Sequence, residues 1–170
     1  MKKQVFFVKS SEKIPGCPCC AGQLRYRDSR LRIIKHEGGG RNYLKIRRFR
    51  CTICHRYHNE LPDILLPYKH YETEIISGVI DGIVTSADSD SEDYPSFTTM
   101  ISWLKWFRFN LANIEGYLRN AGYSIWGLGK DFLYSDQSLL RSVREIYINW
   151  LEKIIRVIYN SGGFLPAFYW

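Results

Sequence analysis

Along the first third of the chain apolar residues alternate with cations, and along the rest they recur three or four positions apart. The first period is that of a half-buried strand, the second that of an amphipathic helix. Residues 5–9 read as a short strand. Over 24–35, Leu24 and Tyr26 take one face while Arg25 and Arg27 take the other. The alternation slips near Asp28 and Ser29, which predicts a bulge, and resumes with Leu31 and Ile33 against Arg30 and Arg32. Gly38-Gly39-Gly40 predicts a turn, and 42–50 a second strand that runs directly into Cys51.

Pro62 and Pro67 bracket the apolar run 64–66, which predicts an extended, buried strap. A helix is predicted over 71–84, with Ile75, Ile76, Val79, Ile80 and Ile83 on one face, then a polar, acidic loop over 85–93. Ser96 is an N-cap candidate for a helix in which Phe97, Ile101, Leu104, Phe107 and Leu111 recur, and the apolar spacing continues over 110–120. With Trp103 and Phe107 as anchors, the polar residues Ser96, Thr98, Thr99, Ser102, Lys105 and Arg108 would face outward, as in the recognition helix of a helix-turn-helix. An ordinary core helix explains the same spacing. Residues 124–129 suggest a turn, and 138–159 a long helix striped by Leu139, Val143, Ile146, Trp150, Ile154 and Ile158. Asn160-Ser161-Gly162-Gly163 should end it, and the apolar tail 164–170 should fold back onto the core. The fold class is therefore α+β: a small antiparallel domain over 1–60, then a helical domain over 61–170, with the helix-turn-helix candidate at 71–109 and further helices at 110–170.

Cysteines change this picture most. Cys17 and Cys20 form one C-x2-C pair and Cys51 and Cys54 another, one at each end of the predicted hairpin. Two such turns offer four thiolates, the set that a structural Zn2+ ion takes in tetrahedral geometry, with no coordination position left for chemistry. The unit reads as knuckle, strand, turn, strand, knuckle: a zinc ribbon with one structural zinc. Cys19 could stand in for Cys17 or Cys20, and His55 or His58 for Cys54; His36 and His70 lack ligand-like spacing.

Charge sharpens the expectation. The formal net charge is +7, yet residues 1–58 carry fifteen Lys and Arg against three acids, and the remainder is net negative. The cations Arg25, Arg27, Arg30, Arg32, Arg41, Lys45, Arg47, Arg48 and Arg50 crowd the two strands. Like charges on paired strands repel unless an anion lies across them, and phosphate is the common answer. DNA is the expected partner. RNA is the weaker candidate, because the sequence identifies no exposed stacking platform. Lys2 and Lys3 precede only a short apolar run, and no stretch is long enough to span a membrane, so a cytoplasmic location is expected. No phosphate-binding glycine loop, nucleophile elbow or H-E-x-x-H helix is present, and Asp88, Asp90, Glu92 and Asp93 lie on one predicted loop. The chain is therefore expected not to be an enzyme.

Several segments carry a resemblance: C-P-C-C-x-G (Cys17 to Gly22), the second C-x2-C, H-x-E-L-P (His58 to Pro62), L-P-Y-K-H-Y (Leu66 to Tyr71), and D-Y-P-S followed by W-x-x-W-F (Trp103 to Phe107). In these the chain resembles a family of uncharacterised bacterial zinc-ribbon proteins encoded beside transposases of insertion sequences and other mobile elements. The resemblance implies an accessory DNA-binding role in a mobile element. Relatives are richer in Arg where this chain has Met100, Ile101, Ser102 and Leu104. The alternative expectation is an adaptor whose helical part and aromatic tail bind a transposase, a polymerase or another partner, while the wide stripe over 138–159 is expected to be buried against the other helices or a second copy of the chain.

Overall fold

A long two-stranded hairpin organises the amino-terminal part. The structure is a computed structural model that describes residues 4–10, 16–90, 94–122 and 136–167. Strand β2 (Leu24–Lys35) pairs antiparallel with β3 (Arg41–Cys51) from Leu24 opposite Cys51 to Lys35 opposite Arg41. A tight turn at Glu37–Gly39, with Gly38 left-handed at φ 79°, closes the hairpin. On the other edge of β3 lie β1 (Val5–Phe7) and β4 (Tyr57–Asn59). The expected bulge is present: the register shifts between Tyr26 and Asp28, leaving Arg27 as the extra residue. Residues paired across a ladder share a face. Arg25, Asp28, Arg30 and Arg32 therefore lie on one side with Arg50, Arg48, Ile46 and Leu44, and Tyr26, Ser29 and Leu31 on the other with Phe49, Arg47 and Lys45.

The expectation of an antiparallel sheet is corrected. The sheet is mixed, because β1 runs parallel to β3. Both strands run toward the end of the hairpin that carries the cysteine turns, and β2 with its turns supplies the long crossover a parallel pair requires. The predicted strap is observed: Leu65 and Leu66 are buried, and Leu65 packs with Ile34, Leu44 and Ile46, flanked by Val8 and Leu61. Past the strap the chain bonds the open edge of β2, Lys35 N–H to His70 O at 2.7 Å and Glu72 N–H to Lys35 O at 3.1 Å.

The chain divides into two compact units, Met1–Thr73 and Glu74–Trp170. The second contains most of α1 (Thr73–Ile80), together with α2 (Phe97–Tyr117), α3 (Leu139–Ile146) and α4 (Trp150–Asn160). Helix α1 stops short of the predicted 84 because Gly82 adopts a left-handed conformation (φ 75°), which leaves Ile83 exposed. The acidic run forms one short helical turn, Ser86–Asp90, capped where Asp88 accepts from the Thr85 N–H; Glu92 and Asp93 lie outside the described residues. The core stripe of α2 is Met100, Trp103, Trp106, Phe107, Asn110 and Ile114, rotated from the expected one, so Phe97 and Leu111 are exposed. Two indole rings offer more apolar surface than the aliphatic positions beside them, so the helix turns its tryptophans inward.

The long helix predicted over 138–159 is two helices. Tyr147 is extended (φ −119°, ψ 123°), and Ile146 and Ile148 stand in solvent. Ile146, Tyr147 and Ile148 lose side-chain freedom in a helix, and Asn149 starts the next one, its side-chain amide bonding Glu152 at 3.2 Å. Trp150 fixes the break: its indole N–H donates to Asp81 at 2.9 Å and its ring packs edge-on against Phe107 at 5.6 Å. The end of α4 is as expected, with Gly162 N–H donating to Tyr159 O and Gly163 N–H to Ile158 O. The tail turns back over 164–167, where Leu165 is buried and the amide of fully buried Asn110 donates to Pro166 O at 3.1 Å. The rest of the tail and the turn expected at 124–129 lie outside the described residues.

Candidate metal centre and cationic sheet face

Each cysteine pair sits on a tight turn of the same construction. Cys17 N–H donates to Gly22 O at 2.7 Å, and Cys51 N–H to Arg56 O at 3.0 Å. In both turns the residue after the second cysteine is left-handed: Ala21 at φ 57° and His55 at φ 58°. A left-handed non-glycine residue is strained, and finding it at matching positions marks two copies of one device. Gly22 follows because a Cβ there would lie 2.8 Å from Cys51 Sγ. The hairpin register, Leu24 opposite Cys51, brings the turns together.

The sulfurs of Cys17, Cys20, Cys51 and Cys54 all lie within 4.8 Å of one another. Cys17 and Cys54 are 3.6 Å apart and Cys20 and Cys51 3.5 Å, and none of the cysteines is in a disulfide. A metal about 2.3 Å from each of four sulfurs in a tetrahedron would set them about 3.8 Å apart. The four residues fit one metal ion. The thiols also share protons as a crowded set must. Burial raises the Cys51 pKa, but the amides of Cys54 and Ile53 and the adjoining thiols outweigh it and bring the group to about 6. The amide of Arg56 lowers Cys54, yet burial and the neighbouring Cys51, Cys17 and Cys20 push it up to about 12. A cation removes this conflict by holding every sulfur as thiolate.

The alternative ligands occupy definite places. His58 Nε2 lies 3.2 Å from Cys17 Sγ, and with Cys19 these form a second group whose ligand atoms lie within 4.8 Å. Burial and then the Arg56 charge depress the His58 pKa, so its ring is neutral near pH 7 and can donate one N–H to the Cys17 sulfur. Cys19 is exposed and accepts from Arg56 at 3.6 Å. His55 belongs to neither group.

The sheet cations separate into classes that the sequence does not distinguish. Arg47 is clamped by Glu60 through Nε and Nη2, both at 2.6 Å, and Glu60 also accepts from the Ser10 amide at 3.0 Å. Arg48 makes the same forked contact with Asp28. Arg32 is half-buried and donates to Lys69 O at 2.9 Å; its buried Nε meets no acceptor, and burial lowers its pKa. Among the described residues no carboxylate pairs with Arg25, Arg27, Arg30, Arg41, Lys45 or Arg50, and all six are exposed. Arg25 faces Arg50 directly across the hairpin. The sequence also missed the aromatic residue in this row: Tyr57, opposite Arg50 on β4, is exposed, with the Arg48 and Arg50 guanidinium carbons 5.1 Å and 5.9 Å from its ring centre. Its alternation with His58 and Asn59 after the second knuckle was the available signal.

The residues expected on a recognition helix lie at the start and outer side of α2. Thr98, Lys105 and Arg108 are exposed, Thr99 and Ser102 are half-buried, and Ser96 bonds the Thr99 hydroxyl at 3.0 Å rather than capping the backbone. The connection from α1 to α2 runs from Asp81 to Ser96, far longer than the three or four residues of a helix-turn-helix turn. Among the described residues no helix is long and apolar enough to cross a membrane.

Comparison with known proteins places this geometry in a family. No curated protein and no solved structure matches the chain. The profile of a family described as a domain of unknown function, DUF6431, matches residues 17–103, just over half of the chain, beginning at the first cysteine ligand candidate and ending at Trp103. The chain belongs to the DUF6431 family.

Proposed function

We propose that the protein binds nucleic acid, DNA in the first instance, through a hairpin held in shape by one structural zinc ion at Cys17, Cys20, Cys51 and Cys54. An all-sulfur tetrahedral set suits zinc or an iron–sulfur centre, and a single four-cysteine site on two hairpin knuckles favours zinc. The observation that carries the reading is Arg25 facing Arg50 with no carboxylate among the described residues to neutralise either. Two guanidinium groups so placed repel each other, and a phosphate between them reverses the sign of that interaction. Arg27, Arg30, Arg41 and Lys45 extend the positive field. Thr98, Ser102, Lys105 and Arg108 on α2, which belongs to the other unit, offer a separate set of contacts to a nucleic-acid backbone. An accessory role in a mobile element follows from the family resemblance of the motifs.

The test is binding of the metal-loaded chain to labelled DNA across a salt series. Arg25→Ala with Arg50→Ala should weaken binding and flatten the plot of log affinity against log salt by about 1–2 units. Metal content and circular dichroism should not change. Unaltered affinity in that variant would remove the proposal. Arg47 and Arg48 are unsuitable targets, because their loss would strand Glu60 and Asp28.

A second reading, an adaptor for a transposase or a dimer, is favoured by the break between α3 and α4. Ile148 there is 99% exposed, with Ile146 nearby also in solvent. It gains support if the chain ignores oligonucleotides and Ile148→Asp abolishes co-elution with a co-expressed transposase, or dissociates a dimer.

A further inference from the structure

Tyr57 narrows the ligand class, and the argument rests on the nucleic-acid reading above. Cross-strand pairing sets Arg25 beside Arg50 and Arg50 beside Tyr57, so β2, β3 and β4 carry these three side chains as one row on one face of the sheet. In the adjoining row Asp28, Arg48 and Asn59 are likewise neighbours. Asp28 holds Arg48 by both guanidinium arms, and the Arg48 guanidinium in turn lies over the Tyr57 ring. The ring is thus steadied by a side chain that is itself fixed, yet it remains 52% exposed. A half-exposed aromatic ring beside Arg25 and Arg50, which no carboxylate among the described residues pairs with, is the composition of a single-strand binding surface, where bases stack and guanidinium groups take the phosphates.

A duplex offers such a ring little. Its bases are stacked on one another, and only their edges and the phosphates are reachable. An unpaired base presents a whole face. We propose that the Arg25–Arg50–Tyr57 row is a stacking platform for an unpaired nucleobase, with Arg25 and Arg50 on the flanking phosphates, so that single-stranded nucleic acid is the preferred ligand. DNA and RNA share this base-and-phosphate chemistry, and only contacts to the 2′-hydroxyl separate them.

The experiment uses the metal-loaded full chain and three labelled probes: a mixed-sequence single-stranded DNA of about ten nucleotides, the same sequence as RNA, and its DNA duplex. One of the single strands should bind at least about tenfold more tightly than the duplex at equal salt, and the better of the two identifies the source. Tyr57→Phe should retain single-strand affinity within about twofold, whereas Tyr57→Ala should lose about 5- to 150-fold, the range for one stacked base. Tyr57→Leu replaces the alanine variant if that one loses its metal. A 2-aminopurine placed in the strand should be quenched by the wild type and by Tyr57→Phe only. Equal affinity for duplex and single strand, or an unaffected Tyr57→Ala, overturns the platform while leaving nucleic-acid binding in place. Failure of the wild type to bind any of the three probes overturns both.

Discussion

Gly22 and Glu60 show how single side chains hold the metal end of the hairpin. A methyl group at residue 22 would meet the Cys51 sulfur at 2.8 Å, with Ile53 carbons at 3.0 Å behind it. Backbone and ligand cannot both stay, so Gly22→Ala should weaken metal binding at least about tenfold in a chelator competition, a loss of about 1.4 kcal/mol or more. Cys51→Ser should go further and yield metal-free, aggregating protein. Glu60 is partly buried, which alone would raise its pKa. The Arg47 fork, the Ser10 amide and the nearby charges of Arg47 and Lys9 outweigh that and hold the carboxyl below its ordinary 4.5. A depressed pKa means that the folded state favours the ionised form. Glu60 therefore contributes stability above about pH 4.5 and loses it as pH falls through the folded value. Glu60→Gln should lower the melting midpoint of the Met1–Thr73 unit by roughly 4–8 °C at neutral pH, a loss of about 1 kcal/mol. The gap between variant and wild type should close below about pH 4.5; a constant gap would show that the ion pair is not its source.

At the level of elements, Glu115 is the clearest case of one helix organising another. From α2 its carboxylate accepts from the Leu139 and Leu140 amides, at 2.7 Å and 3.1 Å, and from the Ser138 hydroxyl at 3.1 Å, at the positive end of α3. Glu115→Ala should cost about 1–2 kcal/mol, read as a lower melting midpoint with reduced helical signal. Sequence could not announce this contact, because Glu115 and Ser138 lie far apart in the chain. What the sequence made legible was local and periodic: the alternation of β2 and β3, the triple-glycine turn, the strap between two prolines, the paired cysteines. It failed where competing surfaces decided the outcome. Spacing put Leu111 on the apolar face and passed over Asn110, yet Asn110 is buried to hold Pro166 and Leu111 is exposed. The apolar period across 138–159 was unbroken, yet Tyr147 turned extended where β-branched neighbours weakened the helix and Trp150 bonded Asp81. Partners of the arginines were equally hidden, since like-charged runs read the same whether or not Asp28 and Glu60 fold against them.

For the molecule as a whole, the four-cysteine site and the helical core belong to different compact units, each with its own buried residues. Removing the ion with a strong chelator should therefore expose the hairpin to protease while most of the helical circular dichroism survives. Complete loss of that helical signal on chelation would show that the two units do not stand independently. The cationic field is likewise a property of the hairpin rather than of the net charge, which is why rearranging a few arginines should matter more than altering the total. Arg27 has a particular place in that arrangement. It is the one strand residue with nothing opposite it, and the ladder closes in step on either side. Excising it would leave Tyr26 against Phe49 and Asp28 against Arg48 as before. The hairpin thus carries a spare link: deleting Arg27 should shorten the strand by one position while leaving the four-cysteine cluster a few residues away in place.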